Sequence, residues 1–192
     1  MSYALALDMT LRNTGWTVFQ HENGVWFPEA GGCIRTKNEK ATRKLFQMEE
    51  DIRAATEVRR GLLDLTDEWN PVMMVVERLD GTQTSTQART FGLVEATFMG
   101  VFEETDIPYR LISATDAKVH MTGKKTATKN EMAQAVINMY PEYVEANVPK
   151  ATKGAILKKY IGWSEHIFDS VCIFETAKAS QEIRTFLKMA AK

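Results

Sequence analysis

A chain of 192 residues that is 44% hydrophobic and 26% charged can bury a core of its own, and a single domain over residues 1–192 is predicted. Its 24 Lys and Arg against 25 Asp and Glu leave a formal charge of -1, which excludes a global attraction to nucleic acid and confines any such affinity to local clusters. Cys33 and Cys172 lie in apolar stretches outside any Cys-x-x-Cys pair, which argues against structural zinc; with no secretory signal and no apolar run of about 18 residues, a cytoplasmic protein without a membrane partner is expected.

Residues 3–8, 14–20 and 25–36 read as three successive strands, the last two joined by the hairpin signal His21-Glu22-Asn23-Gly24. Residues 39–69 then carry Leu45, Met48, Ile52, Ala55, Val58, Leu62 and Leu65 at helical spacing, predicting one long helix that stops before Asn70-Pro71. A strand at 72–77, a helix at 85–105 and a short strand at Tyr109–Ile112 follow, and a helix at 129–140 is stopped by Pro141. Ile167–Phe174 has the character of a buried helix. The order predicts an α/β fold: a five-stranded mixed sheet, three antiparallel strands and then two parallel ones, flanked by helices.

Three distant segments bear acids in apolar settings. Asp8 ends the first strand, Glu77 ends the fourth, and Asp169 lies in the apolar C-terminal helix one turn after His166. If the first and fourth strands are neighbours, Asp8 and Glu77 meet, and a helix crossing their ends adds His166 and Asp169 from one face. An acid at a strand end is commonly only a turn residue, so Asp8 or Glu77 alone carries little. Asp169 between Phe168 and Val171 costs energy without a partner. Acids packed together repel and raise one another's pKa, so the grouping makes physical sense mainly around divalent cations. Carboxylates suit Mg²⁺ or Mn²⁺, and the imidazole shifts preference modestly toward a transition metal.

Two basic stretches accompany these acids. Arg110, Lys118, Lys124, Lys125 and Lys129 face the lone acid Asp116 and predict a loop that grips phosphates. Lys150, Lys153, Lys158 and Lys159, interleaved with Tyr160 and Trp163, form either a second DNA surface or a solvated helix face.

These residues resemble the RuvC-type Holliday junction resolvases of the RNase H-like superfamily over most of the chain. Leu7-Asp8 through Gly15-Trp16 looks like that family's first strand and turn, with Arg12, Thr14 and Gly15 on its Arg/Thr/Gly pattern. Gly32-Cys33-Ile34-Arg35-Thr36 is similar to its third strand, Val76-Glu77 to its fourth, and His166-x-x-Asp169 to its last acidic pair. Gln87-Ala88-Arg89 through Gly92 is similar, in altered order, to the start of the next helix. The resemblance implies a homodimer that cuts opposed strands of four-way or other branched DNA, leaving 5′-phosphate and 3′-hydroxyl ends, with two Mg²⁺ or Mn²⁺ ions about 4 Å apart in each site and no nucleotide cofactor. Asp8 would span the ions, Glu77 and Asp169 would complete the carboxylate set, and His166 would ligate one ion or orient its water. Lys118 would hold the scissile phosphate, while Arg89, Lys124, Lys125, Lys129, Lys153 and Lys158 would contact DNA. In related enzymes the helix after the fourth strand forms the dimer interface, and here Phe91, Leu93, Val94, Phe98, Val101 and Phe102 make it apolar on more than one face.

The segment Arg78-Leu79-Asp80-Gly81 departs from members that carry an aromatic residue there, and the chain is longer between Pro141 and Ser164 than the compact bacterial enzymes; both fit a phage-encoded origin. A catalytically silent DNA-binding protein on this fold would be expected to have lost a carboxylate. An actin-like phosphotransferase or ATPase could use Asp8 through Gly15 and Asp80-Gly81-Thr82 as phosphate grips, but it needs two such domains.

Overall fold

The computed structural model describes residues 1–43, 45–81, 84–150, 159–160 and 164–190. In chain order these form β1 (Ser2–Asp8), β2 (Asn13–Glu22), β3 (Val25–Arg35), α1 (Lys40–Arg43), α2 (Gln47–Trp69), β4 (Met73–Arg78), α3 (Ser85–Thr105), β5 (Tyr109–Ser113), α4 (Ala114–Thr122), α5 (Lys129–Met139), α6 (Pro141–Asn147), α7 (Glu165–Ala179) and α8 (Gln181–Ala190).

The sheet has the order β3-β2-β1-β4-β5, with β1, β2 and β3 antiparallel and β4 and β5 added in parallel, as the strand pattern predicts. β1 is central, and its Ala4 to Leu7 are fully buried because both sheet faces are covered. The period-two alternation of a strand divides them. Ala4 and Ala6 join Phe19, Ile167, Val171 and Phe174 in the core beneath α7, while Leu5 and Leu7 join Val58, Leu62, Val94 and Phe98 in the core beneath α2 and α3. The small side chains on the α7 side admit the helix closely enough for Phe174 to stack on Phe19, with ring centroids 3.8 Å apart. At the β2–β3 hairpin, Asn23 and Gly24 both take positive φ, 52° and 84°, the backbone that the Asn-Gly signal favours.

Three expectations need correction. The helix expected over 39–69 is divided into α1 and α2, and α2 opens with the Glu49 carboxylate accepting from the Phe46 N–H at 2.7 Å. Met48 and Ile52, expected on its buried stripe, are 66% and 49% exposed, and Glu50 and Asp51 are buried instead. Arg12 and Arg89 from other segments and Arg53 from α2 itself pair with these acids, so the first turn of α2 faces inward through charge rather than apolar area. The basic segment expected as a loop contains α4, whose start is capped by the Ser113 hydroxyl accepting from the Asp116 N–H and whose end is set by Gly123 at φ 74°. Pro141 ends α5 but also starts α6, since a proline at the first helical position forfeits no hydrogen bond. α8 was not anticipated.

Removing the Phe174 ring should open a cavity against Phe19. Phe174→Ala is therefore expected to cost about 3–5 kcal/mol in urea unfolding, whereas Ile52→Ala should stay within about 0.5 kcal/mol. Equal losses would contradict the burial assignment.

Candidate active site

The last residue of β1 is Asp8, and the parallel register Leu7↔Val76 sets Glu77 of β4 beside it. Across the antiparallel pair Asp8 faces Gly15. A Cβ on Gly15 would lie 2.1 Å from the His166 carbonyl oxygen, so the first turn of α7 rests directly on the glycine backbone. Farther along α7, the buried Thr17 hydroxyl shares hydrogen bonds with Ser170 Oγ at 2.8 Å and Tyr143 Oη at 2.9 Å. This polar contact fixes the rotation of α7 one residue beyond Asp169, and His166 and Asp169 therefore face the strand ends together.

His166 Nδ1 lies 2.6 Å from Asp8 Oδ2. Asp8, Glu77, His166 and Asp169 line one cavity of about 340 Å³ with Lys118 and Lys129. The four residues expected to form an acidic site thus converge. Lys129, expected as a peripheral backbone contact, lies in the same cavity and pairs with Glu165 at 2.6 Å. Burial, then the hydrogen bond and charge of Asp8 and the charge of Asp169, push the Glu77 carboxyl well above the usual range. Burial and the charge of Asp8 raise Asp169, against the opposing pull of Lys129 and His166. Burial disfavours charge on His166, but the hydrogen bond and charge of Asp8 prevail and raise its pKa. For Lys129, burial is likewise outweighed by the hydrogen bond to Glu165 and the surrounding acids.

This donor set fits a hard divalent cation, because three carboxylates and an imidazole share the cavity while one of its two lysines, Lys129, is already paired with Glu165. In the conformation observed, Asp8 turns an oxygen onto His166, and no group of three or more His, Cys, Asp and Glu among the described residues has a ligating arrangement.

The remaining basic residues are placed differently from one another. Lys124 pairs with Glu131 at 2.9 Å and Lys125 is exposed in the turn between α4 and α5. Arg89, expected at the DNA, is held by Asp51 at 2.8 Å. Lys153 and Lys158 lie outside the described residues. Glu165, which binds Lys129 and approaches His166 Nε2 at 3.8 Å, belongs to the site although the sequence did not single it out. Its position one residue before His166 was the only available signal. No helix among the described residues is long and apolar enough to cross a membrane.

A five-stranded sheet of this order, flanked by helices and carrying acids at the ends of its first and fourth strands, defines the RNase H-like class of folds. The chain matches no protein-family model. It is 24% identical over 139 residues to the crossover junction endodeoxyribonuclease RuvC of Psychromonas ingrahamii, covering 72% of this chain and 75% of that protein. Its fold is similar to RuvC of Thermus thermophilus in complex with a Holliday junction substrate (TM-score 0.66, 13% identity, 98% of this chain and 97% of that one). It is also similar to the yeast mitochondrial Holliday junction resolvase (TM-score 0.61, 14% identity, 98% and 81%). The chain is RuvC-like in sequence and in fold.

Because the folded site holds protons on carboxyls that the unfolded chain releases, its contribution to stability is present below the ordinary carboxylate pKa and is lost as pH rises through the elevated values. Relative to Glu77→Gln, the wild-type protein in metal-free buffer should thus lose melting temperature from about pH 5 upward, and Mn²⁺ should restore more of it at about pH 8 than at about pH 5. Parallel melting profiles with no response to Mn²⁺ would contradict this electrostatic reading. The Gly15→Ala methyl should force α7 off β2, costing about 1–3 kcal/mol. Chemical denaturation of the purified variant measures this directly, and wild-type stability would show that the helix can yield.

Proposed function

We propose that this chain is a metal-dependent, structure-selective endonuclease that resolves Holliday junctions or related branched DNA, hydrolysing phosphodiester bonds in pairs as a homodimer and leaving 5′-phosphate and 3′-hydroxyl ends. The observation that carries the proposal is the meeting of Asp8, Glu77, His166 and Asp169 with two lysines in one cavity at the strand ends of a RuvC-like fold. Asp8, Glu77 and Asp169 would hold two Mg²⁺ or Mn²⁺ ions, with His166 as ligand or as orienter of Asp8. When bound, such ions supply an activated water and stabilise the charge that develops at the phosphate.

The protein's own groups do the rest. Through its hydrogen bond to Asp8, His166 fixes the direction of a carboxylate that would otherwise rotate at the strand end. On α4, Lys118 lines the same cavity and would hold a phosphoryl oxygen there. Lys129, buttressed by Glu165, limits the repulsion between the acids and the incoming phosphate. Lys124 and Lys125, in the turn beyond α4, extend the cationic surface along the DNA backbone. For the homodimer, support comes from the edge strand β5 and α3. Met99, Tyr109 and Leu111 are 60%, 51% and 46% exposed there, beside a cavity that Phe98 and Phe102 also line.

The rival readings fare less well. A silent DNA-binding protein has no use for a full set of buried acids whose repulsion must be compensated. Of the second phosphate grip required by a phosphotransferase, Asp80 is paired with Arg78 at 2.6 Å and Thr82 lies outside the described residues.

On a labelled four-way junction with Mg²⁺ or Mn²⁺, Asp8→Asn and Asp169→Asn should each lower cleavage by more than about 100-fold while leaving binding intact or tighter. The double variant Lys124→Ala with Lys125→Ala should do the reverse, weakening binding and reducing its salt slope by about 1–2 while sparing turnover at saturation. Normal cleavage by either Asn variant would refute the assignment of the site.

A further inference from the structure

The first turn of α2 carries two adjacent acids with unusual surroundings. The Glu50 side chain is completely buried, where a carboxylate is tolerated only if its charge and hydrogen bonds are satisfied. Its Oε1 accepts from Arg12 Nη1 at 2.7 Å, from Arg53 Nη2 at 2.8 Å and from the Glu39 N–H at 3.3 Å, and its Oε2 accepts from Arg53 Nε at 2.9 Å. The hydrogen bonds of Arg53 and Arg12 hold its carboxyl well below the usual range, so it stays charged throughout the working pH range. Asp51 accepts from Arg89 Nη2 at 2.8 Å and from Gln47 Nε2 at 2.7 Å, and lies 3.9 Å from Arg12 Nη2.

The placement of these arginines is informative. Arg12 belongs to the turn that follows Asp8, and Arg89 to the first turns of the helix that follows Glu77. The Arg12 turn is fastened on another side as well: the Thr36 N–H donates to the Arg12 carbonyl at 3.1 Å, and the Thr36 hydroxyl to the Leu11 carbonyl at 2.6 Å. Within the turn, Thr10 Oγ1 accepts from the Asn13 N–H at 2.8 Å, and the Thr10 carbonyl accepts from Thr14 Oγ1 at 2.7 Å. An apolar residue at position 50 would suit the stripe of α2 without the desolvation cost, but it could not reach across to the segment after β1.

We propose that Glu50 and Asp51 are positioning residues of the reaction: gripping Arg12 and Arg89, they tie the segments leaving β1 and β4 to one helix and so hold Asp8 and Glu77 at a fixed separation. The inference rests on the nuclease reading for its effect on cleavage but not for its effect on ion binding by the acids. Neither Glu50 nor Asp51 lines the cavity that holds Asp8 and Glu77. Their influence travels through the arginines, and a displacement of even an ångström at a reacting group is costly.

The test uses Glu50→Gln, an isosteric change, with Arg12→Lys as an independent variant whose side chain is about one-third exposed and which retains the positive charge. For each, junction affinity, single-turnover cleavage at saturating protein and Mn²⁺ binding without DNA by electron paramagnetic resonance are measured, with circular dichroism to confirm folding. Cleavage rate and Mn²⁺ affinity should each fall about 10- to 100-fold, with junction affinity unchanged. In the double variant the losses should not add, because both changes break one link. Wild-type cleavage and Mn²⁺ binding in a folded Glu50→Gln protein would overturn the proposal, as would a loss of junction affinity equal to the loss of rate. If Glu50→Gln does not fold, Arg12→Lys decides by the same criteria. Should the wild-type protein bind Mn²⁺ but cut no branched DNA, the nuclease reading fails while the Mn²⁺ measurements still judge the positioning role.

Discussion

Confining Asp8, Glu77 and Asp169 to one cavity sets carboxylates against one another, and much of the surrounding structure compensates for that repulsion. In a buried setting the mutual repulsion of such groups is far stronger than at a solvated surface. His166 answers Asp8 directly, Lys129 answers Asp169 and Glu77 at longer range, and Glu165 in turn restrains Lys129. The charge remaining makes the site receptive to a divalent cation, and it also makes the pocket hostile to phosphate until such charge is met. With a net charge of -1 the chain offers nucleic acid no global attraction, so any attraction must come from local cations such as Lys118, Lys124, Lys125 and Lys129.

Holding the acids together is a task for the packing around them. α7 must cross the ends of β1 and β2 at close range, and each contact along its length serves that approach. Gly15 removes a side chain where His166 passes, Ala4 and Ala6 keep the sheet face shallow, and Phe174 stacks on Phe19 farther along the helix. The Thr17, Ser170 and Tyr143 hydroxyls add a directional contact that apolar packing alone does not provide. On the opposite face, α2 contributes both apolar area and ion pairs to the segments that leave β1 and β4.

Much of this was legible from the chain. Asp8 and Glu77 stood out because a charged residue interrupts an apolar run at a strand end, and His166 and Asp169 because helical spacing gives them one face. The hairpin at Asn23-Gly24 was readable because few residues tolerate positive φ. Other features were hidden for physical reasons. Glu50 and Asp51 look like solvent-facing residues, and Met48 and Ile52 like core, because spacing alone does not reveal that arginines from remote segments will neutralise a buried carboxylate. α4 escaped notice because Ala117 is its one buried residue, leaving no apolar stripe, although Ser113 and Gly123 marked both its ends. Lys118 and Lys129 stood out within one basic stretch, but their convergence on one cavity depends on how α4 and α5 pack against α7, which local sequence does not encode.

The central claim is that these separated acids form a single cation site. A crystal structure of the protein with Mn²⁺, phased to reveal the anomalous signal of manganese, tests it most directly. The account predicts anomalous density within ligating distance of Asp8 and of Glu77 or Asp169. Manganese found only elsewhere on the surface under saturating metal would contradict it.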